Sequence, residues 1–374
     1  MPEDRTGATR LAPFPQDLPT LTALRFWLAL GVVVFHYSLA WPHDDRAVTG
    51  LIERARLGVD VFFILSGFIL THVYAGPRRS PTLDYGRFLA ARLARIYPAH
   101  LVILAFATAV VGAGALSGAS FEQGNYNLAG WWRTLTLTHA WTPTGRTFEW
   151  NGPTWSLSAE WFAYLAFPVF AWIGLKLHRR PGVLLALAGG LFLAFDLAYR
   201  AAFGQALTHA EFNLGIARIV PEFLYGIALY RLGEQLAPSP RAARACAAAS
   251  ALAMLGLMHA GADERSIVAV SGGLVLSLAL LSKAGAGQTL ARPWMLLAGE
   301  ASYALYVAHF PLILAWNGMV EMFGLRGDAP PFAWPETAAL LMLTMGAALA
   351  LHLWIERPAR DLARDWMGRR AAAA

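Results

Sequence analysis

Ten stretches of this 374-residue chain are apolar for long enough to cross a bilayer as helices. Hydrocarbon offers no hydrogen-bond partners, so a spanning backbone must satisfy itself as a helix or a closed barrel. A helix needs about 20 mostly apolar residues to do so. The runs lie at roughly 21–41, 57–76, 96–115, 155–177, 183–203, 212–231, 242–260, 266–282, 294–316 and 335–356. With 57% hydrophobic and 14% charged residues, the expectation is an all-α integral membrane protein of about ten transmembrane helices. A polar, proline-bearing tail (1–20) without a signal-peptide core leads into one transmembrane domain (21–356), and a basic tail (357–374) follows it. The apolar stretch NLAGWWRTLTLTHAW (127–141) is too short to span and reads as an interfacial or re-entrant helix in the long connection 116–154. The single cysteine, Cys246, excludes an internal disulfide and a multi-cysteine metal site. No metal is expected.

Loop charges set the expected orientation. With the amino terminus in the cytoplasm, twenty lysines and arginines fall inside, the largest internal group being Arg78, Arg79, Arg87, Arg92 and Arg95. Eight fall outside: Arg46, Arg54, Arg56, Arg133, Arg146, Arg200, Arg265 and Arg326. That asymmetry predicts both termini in the cytoplasm. It also accounts for the net charge of +6 without a nucleic-acid partner.

Ionisable residues within spans cost several kcal/mol each and point to function. Arg25 and His36 share the first span, about 16 Å apart along a helix. A snorkelling anchor is the simpler reading of Arg25, and an interfacial or helix-bonded histidine that of His36. Alternating helix direction puts Asp60, Glu160, Arg218, Glu222 and His309 near the outer depth of His36. A carboxylate beside His36, Asp60 or Glu160, would fix its tautomer and raise its basicity for proton transfer. Arg218 or His309 would stabilise developing negative charge. At the inner side Arg92 and Arg95, three apart on one face, join Arg25 in a basic cluster suited to phosphate oxygens. Ordinary positive-inside charge explains them equally well. Trp155, Trp161, Tyr303 and Tyr306 read as interface or packing aromatics rather than catalysts, with Trp155 and Tyr303 retained beside Arg218 and Glu222 as substrate-contact candidates. Pro98 and Pro221 read as helix-shaping residues.

Several local patterns together resemble the acyltransferase-3 family of membrane acyltransferases. They are Arg25-x10-His36, GVDVFFILSGFIL (58–70), RLARIYP (92–98), NGPTWSLSAEWFAYLAFP (151–168), PEFLYG (221–226), SYALYVAH (302–309) and WIERPAR (354–360). The resemblance implies a ten-helix enzyme, often bacterial and of the inner membrane. It would move an acyl group, acetyl by family precedent, from cytoplasmic acyl-CoA to a hydroxyl of a surface polysaccharide, a lipid-linked sugar or a small molecule such as a macrolide. Arg25 and His36 would be the essential pair, and Arg92 and Arg95 would meet the CoA end. His36 would act as general base or would itself carry the acyl group. The family's second acid after WSLSAE is replaced here by Trp161. A hydrolase-like extracytoplasmic domain carried by some members finds no room in this length. Two other readings of the buried charges are a proton-coupled transporter and a scaffold in which they only pair helices. No inverted repeat favours the transporter.

Overall fold

A computed structural model describes residues 13–41, 49–76, 83–117, 126–143, 150–324 and 334–373. The first twelve residues of the expected tail, and Arg46, Arg78, Arg79, Arg146 and Arg326, lie outside them. Among the described residues the chain is all-helical: α1 Pro19–Ser38, α2 Leu51–Arg54, α3 Gly58–Tyr74, α4 Tyr85–Leu116, α5 Leu128–Leu135, α6 Trp155–Leu165, α7 Phe167–Lys176 and α8 Pro181–Phe203. There follow α9 Gly215–Glu234, α10 Pro240–His259, α11 Glu264–Lys283, α12 Pro293–Glu300, α13 Ser302–Met322, α14 Trp334–Leu351 and α15 Arg357–Ala373. Eight helical segments are long and apolar enough to cross a membrane, and the α6–α7 pair, bent by 60°, makes a ninth. The remaining expected span is α9, which carries Arg218, Glu222 and Arg231 as buried residues. Its polar groups face neighbouring helices, so hydropathy understates it.

Local chemistry sets several boundaries. Asp84 caps α4 by accepting from the Arg87 amide at 3.0 Å, so the expected 96–115 span is the second part of a 32-residue helix. Asn127 caps α5 at the Gly130 amide, 2.8 Å away, and limits the short connection helix to eight residues. Pro168 at the start of α7 breaks the expected 155–177 span after Leu165. The second span begins at Leu51 instead of Leu57, through α2 and a 3-10 turn, Ala55–Leu57. A π-helical turn, His352–Glu356, joins α14 to α15, so the expected basic tail continues the last span as a helix.

Helices α3 and α9 meet backbone to backbone. A Cβ on Gly226 would sit 2.0 Å from the Ile64 carbonyl oxygen, and one on Gly67 would sit 2.0 Å from that of Phe223. The glycines of LSGF and PEFLYG therefore let two backbones touch, the packing that lipid-embedded helices use in place of a hydrophobic driving force. This contact places Asp60 beside Arg218. It also fixes the register of α3 against α1, with Gly58 packed on the Leu28 carbonyl and the Val32 side chain.

Candidate active site

His36 lies in the last turn of α1, and its partner is His309 of α13. His309 Nε2 is 3.2 Å from His36 Nδ1, and His309 is fully buried. His36 Nδ1 lies 2.9 Å from the Val32 carbonyl, and His309 Nδ1 lies 2.5 Å from that of Tyr306. A carbonyl only accepts, so both Nδ1 atoms carry the proton. His36 Nδ1–H then serves Val32 and the His309 Nε2 lone pair together. His36 Nε2 keeps its own lone pair, with no hydrogen-bond partner among the described residues, which is the state a proton acceptor needs. Tyr37 anchors this end of α1 to α14 through a 2.6 Å hydrogen bond to Thr344.

Among the described residues no carboxylate hydrogen-bonds to His36, where the sequence suggested Asp60 or Glu160. Asp60 is bound by Arg218 through Nε at 2.9 Å and Nη2 at 2.5 Å, with side-chain exposures of 0% and 1%. Gly58, two residues before Asp60, packs at Leu28 and Val32, roughly 6–12 Å along α1 from His36. Glu222 is buried beside this pair, close enough to feel both Asp60 and Arg218. Arg218 is thus committed to Asp60 and lies under the Trp155 ring, 5.1 Å from its centroid. Trp155 also packs edge-on against Phe63 and is buried, so it supports Arg218, and it is not among the residues that line the cavity described next.

The second centre is a cavity of about 880 Å³. Arg25, Arg92, Arg95, Glu160 and Tyr303 line it, as the basic-cluster expectation requires for the arginines. Glu160 was expected level with His36. It instead accepts from Ser66 Oγ at 2.6 Å and faces Arg25. Arg92 stacks over Tyr74 and Tyr164, at 5.6 and 6.0 Å from the ring centroids, which holds its guanidinium along the wall. Tyr303 donates to the Ile96 carbonyl at 2.6 Å and ties α13 to α4. Three further arginines on the wall, Arg357, Arg360 and Arg364, come from α15. Sequence reading treated these as topology charges, and only the course of α15 past α4 brings them here.

Apolar side chains, Val59, Phe62 and Phe63 among them, share the lining with the arginines, and so do Ser156 and Tyr306. The Tyr306 hydroxyl lies 2.6 Å from the Pro153 carbonyl and 2.8 Å from Ser156 Oγ, and its ring centroid is 5.7 Å from that of His309. Tyr306, read from the sequence as an interface or packing aromatic, therefore lines the cavity on one side and meets His309 on the other, a layer one residue thick. The loop before α6 is fastened around it. Asn151 donates to the Val307 carbonyl at 2.9 Å, and Ser158 Oγ donates to the Leu137 carbonyl at 2.8 Å. The serines of WSLS are thus hydrogen-bonding fasteners. In the connection that Ser158 grips, burial pushes His139 down to about 3, with His100 adding like-charge repulsion. His352 Nδ1 meets Glu356 Oε2 at 2.6 Å inside the π turn, both fully buried.

Among the described residues no group of three or more His, Cys, Asp or Glu side chains could hold a metal ion. No solved structure matches the chain. Residues 18–353 match the acyltransferase domain that defines one family of membrane enzymes. Over 96% of its length the chain is 29% identical to the acyltransferase MdmB of Streptomyces mycarofaciens, covering 94% of that protein. It is 30% identical over 84% of its length to the exopolysaccharide production protein ExoZ of Rhizobium meliloti, covering 92% of it. A putative peptidoglycan O-acetyltransferase of Bacillus subtilis, YrhL, is 23% identical over 92% of this chain, which spans 55% of that longer protein. The domain match runs through both histidine-bearing helices and the Arg92–Arg95 wall, and on that match this multi-pass membrane chain is an acyltransferase of the acyltransferase-3 family.

Proposed function

We propose that the protein is an O-acyltransferase of the bacterial inner membrane, moving an acyl group, acetyl by default, from cytoplasmic acyl-CoA to a hydroxyl of a surface glycan or lipid-linked sugar. The observation that carries this reading is the chemistry of the cavity. Its lining combines arginines with apolar side chains and includes a tyrosine whose ring lies beside that of His309. Arg25, Arg92 and Arg95 would neutralise CoA phosphates, while the uncharged pantetheine arm follows Val59, Phe62 and Phe63 toward Tyr306. Displacement of the Tyr306 layer would admit the thioester to His36. His36 Nε2 then takes the acceptor hydroxyl proton as its oxygen attacks the thioester carbonyl. The C–O bond forms, the C–S bond breaks, and the imidazolium returns the proton to the departing thiolate. His309 Nε2, accepting from His36 Nδ1–H, would stabilise the imidazolium formed in between. The names of ExoZ and YrhL support a glycan acceptor.

The arginine and lysine asymmetry supports placing both termini, and with them the cavity's arginines, at the cytoplasmic side. In a Cys246→Ser background, a cysteine at Leu362, exposed on α15, should resist labelling on intact cells, and one at Leu128 of α5 should react. The decisive assay gives purified protein radiolabelled acetyl-CoA and lipid-linked oligosaccharide. Acetylated product with wild type and none with His36→Ala supports the reading. An acetylated protein trapped without acceptor would replace the direct route by an acyl-histidine route. Solute accumulation in sealed vesicles without covalent change would overturn the enzyme reading in favour of transport.

A further inference from the structure

We infer that α15, which lies beyond the matched acyltransferase domain, forms the outer wall of the donor site, and that Arg360 and Arg364 bind the ribose 3′-phosphate of CoA. The inference rests on the acyl-CoA reading above. The family match ends at residue 353, before the first residue of α15.

Two ranks of arginine face this cavity. Arg25, Arg92 and Arg95 project from α1 and α4, within the helix bundle. Arg357, Arg360 and Arg364 project from α15 at spacings of three and four, which puts them on one helix face. The carboxylates on the same wall are Glu160, Glu300 and Asp361, leaving three cations in excess. Such an excess around a cavity costs self-repulsion unless an anion occupies it. Arg360 is close enough to Arg95 to feel its charge, so the two ranks meet there. Asp361 pairs with Arg364, whose exposed side chain stays open to solvent at the edge of the cavity.

The order of groups along CoA assigns the ranks. The thioester lies at Tyr306, and the pantetheine arm follows the apolar side chains. The pyrophosphate then arrives at the inner rank. The adenosine ribose, whose 3′-phosphomonoester carries roughly two negative charges, comes last, where α15 flanks the opening. Arginine forks suit a phosphate dianion. Anionic lipid headgroups offer the same phosphate chemistry, and the test separates the two.

The experiment titrates CoA and dephospho-CoA, which lacks only the 3′-phosphate, into full-length protein in zwitterionic nanodiscs. Wild type should bind CoA the more tightly. Arg360→Ala and Arg364→Ala should each lose roughly 10- to 100-fold in CoA affinity and nothing in dephospho-CoA affinity. The Arg364 side chain is 74% exposed, so its loss does not unfold the bundle. Variants that bind CoA as wild type does overturn the inference, as does an equal loss for both ligands. Unchanged CoA affinity with weakened capture by phosphatidylglycerol vesicles overturns it in favour of a lipid anchor. Wild type that binds neither ligand removes the acyl-CoA reading itself, an outcome distinct from failure of the α15 assignment alone.

Discussion

Replacing Arg218 by methionine tests whether the Asp60–Arg218 pair is scaffold or catalyst. Both side chains are essentially unexposed, two hydrogen bonds join them, and Trp155 covers the guanidinium. Methionine keeps most of the packing under Trp155 and removes the charge. Asp60 is then left without its cation, next to the buried carboxyl of Glu222. Breaking a buried pair from one side costs about 3–5 kcal/mol, most of it the stranded charge. Asp60→Leu in the Arg218→Met background removes that charge as well, and swapping a whole buried pair for apolar groups is close to neutral. Unfolding in mixed detergent micelles should therefore show a severe loss in the single variant and recovery of most of it in the double. The double variant should also keep CoA affinity, because neither residue faces the donor cavity. A stable Arg218→Met protein, or a double variant as unstable as the single, would refute the reasoning.

Gly226→Ala should destabilise by about 1–3 kcal/mol or prevent assembly, because its Cβ meets the Ile64 carbonyl at 2.0 Å; Gly190→Ala in α8, where nothing lies within 4 Å, should be neutral in the same thermal assay. His36→Ala should lower kcat by about 10²–10⁴-fold with donor KM unchanged. His309→Ala should cost less, since Val32 still fixes the His36 tautomer, and glutamine should partly rescue it by offering an acceptor; loss of donor affinity in either variant would contradict the separation of the two centres. His139 stays neutral in the fold down to about pH 3. As pH falls through about 6.5 only the unfolded chain takes that proton, so stability should drop by on the order of 2 kcal/mol by pH 5, and His139→Gln should flatten part of the slope in a melting series.

The amino-acid sequence alone determined the solvent of this protein and the chemistry of its basic wall. Apolar run length reports directly on hydrocarbon thickness, so α1, α8, α10 and α11 are legible from one dimension. The spacing of Arg92 and Arg95 likewise puts both on one helix face, and the structure puts both on the cavity. Which charges meet was decided elsewhere. Hydropathy started the second span six residues late, at 57 instead of Leu51, and placed Asp60 and Glu160 level with His36. The backbone contact at Gly67 and Gly226, with Gly58 seated on α1, set a different register and gave Asp60 to Arg218. His309 reached His36, and α15 turned its arginines onto the donor cavity, through helix rotation and crossing. Period and length are properties of one helix against its solvent. Register and rotation are properties of two helices against each other, and for those the pair must be packed before the residues have partners.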